Sequence, residues 1–365
     1  MTVSIVGIGT WLPEVVRTND AWPRSFVEGR LHKGDRTFND IPPSDDLEAA
    51  AIVARDLEAE TRDPVLGATR RHVAEPAMTA AEAEARAGLA ALADAGVSPA
   101  DVDLVLSNSI VPDRLMPSTA AAVAHRIGAS RALALGIDAA CASSLAQIDV
   151  ARAYVASGLA RRVLLVQSHL LLRAFPLEHP ASPGLGDGAT ALVVADAGSA
   201  GRGGALAIRS TFAATHGEHA IAVTWVRGQD DVTDLPWWKA GGDYRLGTRA
   251  PEQAKALMRD TVTFGARTVR EAAERASVPV TGIQVLASVQ PRGFLPHAIA
   301  ERLGLPRATA VTTYDRIAHV GACGPVFNLA FARAQAGGRL AQGTVVALYG
   351  QGSGFTRAAA ILQAG

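Results

Sequence analysis

Cysteine is nearly absent. The 365-residue chain has two, Cys141 and Cys323, which excludes a disulfide framework and leaves both expected as free thiols in a reducing compartment. Net charge is also lacking: 35 basic residues balance 35 acidic ones, so nothing points to a polyanionic partner such as nucleic acid. No apolar run is long enough to span a bilayer. The opening residues, Met1 to Gly9, carry no basic leader and read as a strand entering a turn, so a signal peptide is not expected and the location expected is cytoplasmic. No His/Cys/Asp spacing fits a metal site. What remains, 48% hydrophobic and 19% charged residues, is the balance of a globular protein without a membrane span.

Short β-branched runs alternate with alanine-rich helical stretches, the pattern of sheets covered by helices in an α/β protein. Strands are predicted at 3–8, 103–108, 133–138, 162–167 and 189–195, and again at 205–213, 283–288, 309–313, 344–349 and 357–362. Helices are predicted at 79–95, 118–128, 142–158, 251–276, 296–304 and 325–336.

The two sets read as one unit written twice. Asp103-Leu-Val-Leu-Ser-Asn-Ser answers to Ile283-Gln-Val-Leu-Ala-Ser-Val, and Val163-Leu-Leu-Val-Gln-Ser to Val345-Val-Ala-Leu-Tyr-Gly. Gly186-Asp-Gly-Ala-Thr answers to Gly352-Ser-Gly-Phe-Thr, each before an apolar strand. The expected halves are 1–200 and 201–365, with 20–70 as an Arg-, Asp- and Pro-rich insertion holding one helix near 46–60 and placed to cap a substrate entrance.

Leu135-Gly-Ile-Asp-Ala-Ala-Cys141-Ala-Ser-Ser reads as strand, small-residue turn, helix. That sets Cys141 at a helix N-terminus, where the dipole favours a thiolate. The helix end supplies about 0.3–1 kcal/mol, less than the roughly 1.4 kcal/mol of one pKa unit. A basic partner is therefore required. Taken alone, Cys141 reads better as a small buried core residue, which free cysteines usually are.

Asp138-Ala-Ala-Cys141-Ala-Ser-Ser resembles the active-site motif of the ketoacyl-acyl-carrier-protein synthase III family. Four further segments match in order: Gly7 to Pro13 with Thr18-Asn-Asp20; Pro112-Asp113 with Met116-Pro-Ser-Thr119; Gly186-Asp-Gly-Ala189; and Gly350-Gln-Gly-Ser-Gly-Phe-Thr356. The resemblance implies the thiolase fold, two pseudo-symmetric βαβαβαββ halves in five αβαβα layers, and a homodimer. It further implies an acyltransferase without a permanently bound cofactor, taking acyl-CoA or acyl carrier protein as substrate. Cys141 would carry the acyl group as a thioester, with backbone N–H groups of Cys141 and Ser353 as the oxyanion hole.

The family's catalytic set is Cys, His and Asn. Counting back from Arg302-Leu-Gly-Leu-Pro306, the histidine's slot falls on Val289, while the asparagine's slot, in Ala318-His319-Val-Gly-Ala-Cys-Gly324, holds His319. His319 is therefore the candidate base. Gln290, His219 and His297 are possible supporting groups, with Gln290 as a substitute donor to the substrate carbonyl. Condensation of a starter unit with malonyl carrier protein in specialised metabolism and direct transfer to a hydroxyl or amine both stay open. So does a silent subunit that shapes a partner's pocket. The family's adenine-stacking Trp has no counterpart before Arg70-Arg71. Trp22 and the Trp237-Trp238 pair are substitutes, and Arg249 is a candidate for the phosphopantetheine arm.

Overall fold

The computed structural model describes residues 2–31, 44–199, 204–227 and 244–365. Ten strands form one continuous sheet system: β1 (Val3–Trp11), β2 (Leu104–Ser109), β3 (Leu133–Gly136), β4 (Arg162–His169) and β5 (Gly188–Asp196), then β6 (Leu206–Thr215), β7 (Val285–Ser288), β8 (Ala310–Val311), β9 (Val345–Gln351) and β10 (Thr356–Ala364). Among the described residues, nine α-helices accompany them: α1 (Leu47–Thr61), α2 (Ala80–Ala95), α3 (Thr119–Ile127), α4 (Ser143–Ala156), α5 (Pro251–Arg275), α6 (Leu295–Arg302) and α7 (Gly324–Gln335), with two more, Arg24–Leu31 and the one-turn Tyr314–Ile317, left unlabelled.

Spatial order is β8-β7-β9-β10-β6-β1-β5-β4-β2-β3, so each half repeats the other about the β1–β6 junction. In each, the two inner pairings are antiparallel and the two outer ones parallel. Leaving aside α1 and the two unlabelled helices, each half runs βαβαβαββ. The ten strands and the seven labelled helices stand where the sequence pattern put them, whereas Arg24–Leu31, a second helix in the insertion, and Tyr314–Ile317 were not predicted.

Side-chain alternation along the strands builds the layers. On β5, Ala189, Ala191, Val193 and Ala195 face α2 and α3, while Leu192 and Val194 face α4. On β9, Ala347 and Tyr349 face α5 and α6, while Val346 and Leu348 face the same central layer as Leu192. Helices α4 and α7 lie between the two sheet halves, covered on both sides, and α2 with α3 and α5 with α6 close the outer faces. Alanine suits these contacts. A Cβ on Gly9 would lie 2.1 Å from the Ala87 carbonyl oxygen, so β1 and α2 meet backbone to backbone, which larger residues would prevent.

The insertion carries α1 where a helix is predicted. Asp46 caps it, accepting from Ala49 N at 3.2 Å, and α1 buries Ala49, Ile52, Val53 and Leu57 against α5 and α6. Two short antiparallel ribbons, 16–18 with 70–72 and 224–227 with 244–247, are additions the sequence pattern did not show. Beside the first, the fully buried Arg71 guanidinium donates to the carbonyls of Pro183, Val65 and Ala68 and to Asn19, and stacks 4.7 Å from the Trp22 ring centre. Trp22 is 4% exposed, its Nε1 donating to the Leu177 carbonyl. The adenine-stacking role considered for Trp22 is therefore corrected: the ring is packing for a buried cation. Trp237 and Trp238 lie outside the described residues.

Candidate active site

Strand β3 ends at Gly136, and the chain reaches α4 through a tight 3₁₀ turn, Ala140–Ala142. Asp138 and Ser143 fold that turn. Asp138 Oδ1 accepts from Ala140 N at 2.8 Å, and Ser143 Oγ accepts from Ala139 N and donates to the Ala140 carbonyl. Ala140 adopts φ 47, a left-handed conformation that costs a non-glycine residue free energy and turns Cys141 out of the helix line.

The second half repeats the device. Val320 (φ −121, ψ 34) and Gly321 (φ 54) match Ala139 (φ −138, ψ 32) and Ala140, and lead through Gly321–Cys323 into α7. His319 stands just before this turn. Its N–H donates to the Gly184 carbonyl at 2.9 Å and its carbonyl accepts from Gly186 N at 3.0 Å. The loop before β5 thus grips the residue from one side.

The outcome is a contact 178 residues apart in sequence: Cys141 Sγ stands 3.6 Å from His319 Nε2. Glycine makes the approach feasible. A Cβ on Gly352 would fall 2.1 Å from the Ala139 carbonyl oxygen and 2.9 Å from Cys141 N, and one on Gly186 would fall 2.0 Å from the Ile317 carbonyl oxygen.

Burial governs the electrostatics. It pushes the Cys141 thiol up to about 12, with Asp138 adding to the rise. It pushes the His319 imidazole down to about 3, with His169 adding to the fall and the Gln290 carbonyl opposing it. The helix terminus, at about 0.3–1 kcal/mol, opposes that rise only weakly. Both shifts favour the uncharged forms, thiol and neutral imidazole.

Both residues line a cavity of about 250 Å³ whose walls are largely apolar, including Leu171, Leu185, Leu257, Met258, Phe294 and Leu295. Its size and apolar character suit an acyl chain. Ser353 follows Gly352 on the same wall. His219 also lines the cavity, and its Nδ1 is buried without a hydrogen-bond partner among the described residues.

Three expected supporting groups fare differently. Gln290 is fully buried, and its amide is taken up by Thr312, Thr313, Asn328 and the Ala318 carbonyl. It does not line the cavity, so it is no substitute donor to substrate. His297 is corrected as well: on α6, its Nδ1 donates to the Arg307 carbonyl at 3.0 Å, away from the cavity. Arg249 is exposed, its N–H donating to the Ile221 carbonyl. Val289, in the missing histidine's slot, is fully buried in the outer core.

One site residue escaped the sequence reading. His169, at the end of β4, lines the cavity with its ring centre 5.5 Å from that of His319. Its Nδ1–H donates to the Gly186 carbonyl at 2.7 Å, since a carbonyl only accepts, so the lone pair sits on Nε2. Burial pushes this imidazole down to about 4. A histidine closing an apolar strand carries no motif, and only the fold brings it beside His319. Among the described residues, no cluster of three or more His, Cys, Asp or Glu is placed to hold a metal ion. No helix among them is long and apolar enough to cross a membrane.

Comparison with known proteins agrees with this geometry. Residues 135–212 match the family described as 3-oxoacyl-[acyl-carrier-protein (ACP)] synthase III, and residues 273–364 match its C-terminal part. The chain is 30% identical to the beta-ketoacyl-[acyl-carrier-protein] synthase III of Sphingopyxis alaskensis over 295 residues, covering 80% of this chain and 86% of that one. It is 29% identical to the Bordetella petrii protein of the same name over 358 residues, covering 98% and 96%. The crystal structure of the priming beta-ketosynthase from the R1128 polyketide pathway superposes with a TM-score of 0.76 at 23% identity, covering 100% of this chain and 96% of that one. The fold is thiolase-like over the full length.

Proposed function

The chain belongs to the 3-oxoacyl-[acyl-carrier-protein] synthase III family of condensing enzymes, and from that premise we propose that Cys141 is the acyl-carrying nucleophile and His319 its base. The observation that carries this reading is the 3.6 Å approach of His319 Nε2 to Cys141 Sγ at the wall of an apolar cavity. Sγ attacks the carbonyl carbon of an acyl-CoA or acyl-carrier-protein thioester while its proton passes to His319 Nε2. The new S–C bond replaces the old one, and the departing thiolate takes the proton from His319. Because burial disfavours a resting thiolate, the proton moves with the attack rather than before it.

The acyl group then serves as a starter unit. Decarboxylation of malonyl carrier protein breaks its C–C bond and leaves the electron pair as an enolate. The enolate carbon attacks the acyl carbon and expels Cys141. The homodimer, the cytoplasmic location and the part played by Arg249 in binding a phosphopantetheine arm belong to this proposal.

A second reading, direct transfer to a hydroxyl or amine, is favoured by a specific observation. Val289 offers no donor, the Gln290 amide is consumed, and His319 Nε2 has given its proton to the departing thiol, so neither of the family's two slots presents a ready side-chain donor to an enolate oxygen. An oxyanion donor is often worth about 3–4 kcal/mol. The lone pair on His169 Nε2 suits accepting a proton from an O–H or N–H acceptor instead. The test is intact mass after incubation with acyl-CoAs, followed by malonyl carrier protein or a protic acceptor. Loss of the adduct with carbon dioxide release supports condensation. Loss to the acceptor alone supports transfer. No adduct from any donor on folded protein overturns both and leaves the silent subunit.

A further inference from the structure

We infer that Gln290 is the positioning residue for His319, acting through the peptide that joins Ala318 to it; the inference rests on the reading of His319 as base. The amide's orientation is fixed by its surroundings. Oε1 accepts from Thr313 N at 3.3 Å, Thr312 Oγ1 at 3.0 Å and Asn328 Nδ2 at 3.0 Å. A flipped amide would set N–H against the N–H groups of Thr313 and Asn328. Nε2 therefore donates to Thr313 Oγ1 at 3.2 Å and to the Ala318 carbonyl at 3.1 Å. Thr313 Oγ1 in turn donates to Asn328 Oδ1 at 2.8 Å, and Asn328 Nδ2 also donates to the Ser288 carbonyl at 2.9 Å. Both amide protons of Gln290 and both of Asn328 are used.

The carbonyl that Gln290 holds belongs to the one residue of this turn whose backbone resists its conformation. Ala318 has φ 56 and ψ −153, a region open mainly to glycine. Such a conformation persists only where the surroundings over-determine it. The Gly184–Gly186 segment fixes His319 from its far side, and Gln290 fixes the peptide before it. Without that donor the Ala318 carbonyl is left buried and unpaired by this group, and the strained peptide has a route to relax. The imidazole moves with it. An ångström of misplacement costs about 100-fold in rate, so a residue that never meets substrate can control acylation.

The test compares acylation of Cys141, followed by intact mass with an acyl-CoA, in Gln290→Glu and Thr312→Val. In Gln290→Glu a protonated carboxyl still donates to Ala318, whereas an ionised one does not. Acylation is expected to fall about 100-fold relative to the parent as pH rises through the titration of that carboxyl, with an unchanged circular dichroism spectrum, and to recover at lower pH. Thr312→Val loosens the same network without touching the Ala318 contact, and is expected to acylate at close to the parent rate. Gln290→Met, uncharged and similar in length, stands in if the glutamate variant does not fold, and is expected to be slow at every pH. Parental acylation in Gln290→Glu or Gln290→Met throughout the folded range overturns the inference, as does an equal loss in Thr312→Val. Parental acylation in His319→Ala instead overturns the base assignment itself, which separates the two failures.

Discussion

His319 Nε2 lies 3.6 Å from Cys141 Sγ while burial drives their proton affinities apart, the thiol up to about 12 and the imidazole down to about 3. The pair is thus neutral at rest, unlike a thiolate–imidazolium couple that stays charged across neutral pH. Iodoacetamide should therefore alkylate Cys141 with a rate that rises about tenfold per pH unit from pH 6 to 9, tracking the scarce thiolate. Intact mass over time reads the rate, with Cys141→Ala as the blank because Cys323 is fully buried. A plateau below pH 8 would show a preformed ion pair and overturn the neutral assignment.

If His319 takes the thiol proton, its loss is felt in the first half-reaction. His319→Ala is expected to slow acyl-Cys141 formation by about 10²–10⁴-fold. His169→Ala is expected to change that step by less than tenfold and to slow release of the acyl group to a protic acceptor, if transfer is direct. Single-turnover acylation and deacylation, measured separately, check both. Equal losses in the two steps for both variants would deny the division of labour.

The repeat was legible because strand and helix periodicity survive in local sequence: βαβαβαββ is written in runs such as Leu104–Ser109 and Val345–Gln351, whose alternate residues face two helix layers. Cys141 and His319 were legible through the resemblance, Cys141 in the Asp138-Ala-Ala-Cys141 motif and His319 in the asparagine slot of the second-half turn. His169 and the role of Gln290 were not. Their significance lies in which carbonyl each amide or ring nitrogen meets, Gly186 and Ala318, and those carbonyls are brought up by loops distant in sequence. The ribbon 16–18 with 70–72 was hidden because Arg70-Arg71-His72 reads as a solvated charge run. In the fold Arg71 is buried, satisfied by neutral oxygens and Trp22.

Gly352 offers a steric test of the site's closure. Its φ of −128 suits any residue, so alanine meets no backbone strain there. The Cβ would nevertheless sit 2.1 Å from the Ala139 carbonyl oxygen and 2.9 Å from Cys141 N. Both are backbone atoms of the nucleophile's turn, so relief requires moving Cys141. Gly352→Ala is expected to cut acylation by about 100-fold and to destabilise by about 1–3 kcal/mol. Mass-detected acylation and urea denaturation check the two effects. Parental acylation would mean the turn yields without displacing the sulfur.

Glu84 makes stability respond to pH away from the site. Fully buried on α2, it accepts from Ser107, Ser109 and Ser168 at 2.6, 2.5 and 2.7 Å. Burial nevertheless outweighs those donors and pushes the carboxyl up to about 8. A carboxyl raised in the folded state binds its proton there while the unfolded chain has lost it. Its contribution is therefore complete below about 4.5, the unfolded value, and is lost as pH rises through about 8. Asp187, raised to about 6, and the depressed His169 and His319 act mainly below pH 6.5, and the raised thiols act above 8.5. Glu60 is a second carboxyl raised by burial, so Glu84 is read as the difference between the parent and Glu84→Gln from pH 6.5 to 8, across which the parent should lose about 2 kcal/mol more unfolding free energy. Glu84→Gln cannot ionise, and its amide can both accept from and donate to the serine hydroxyls. It should show a shallower profile than the parent in that window. Urea denaturation at half-unit pH intervals measures both curves, and parallel slopes would show that Glu84 is already ionised in the folded protein.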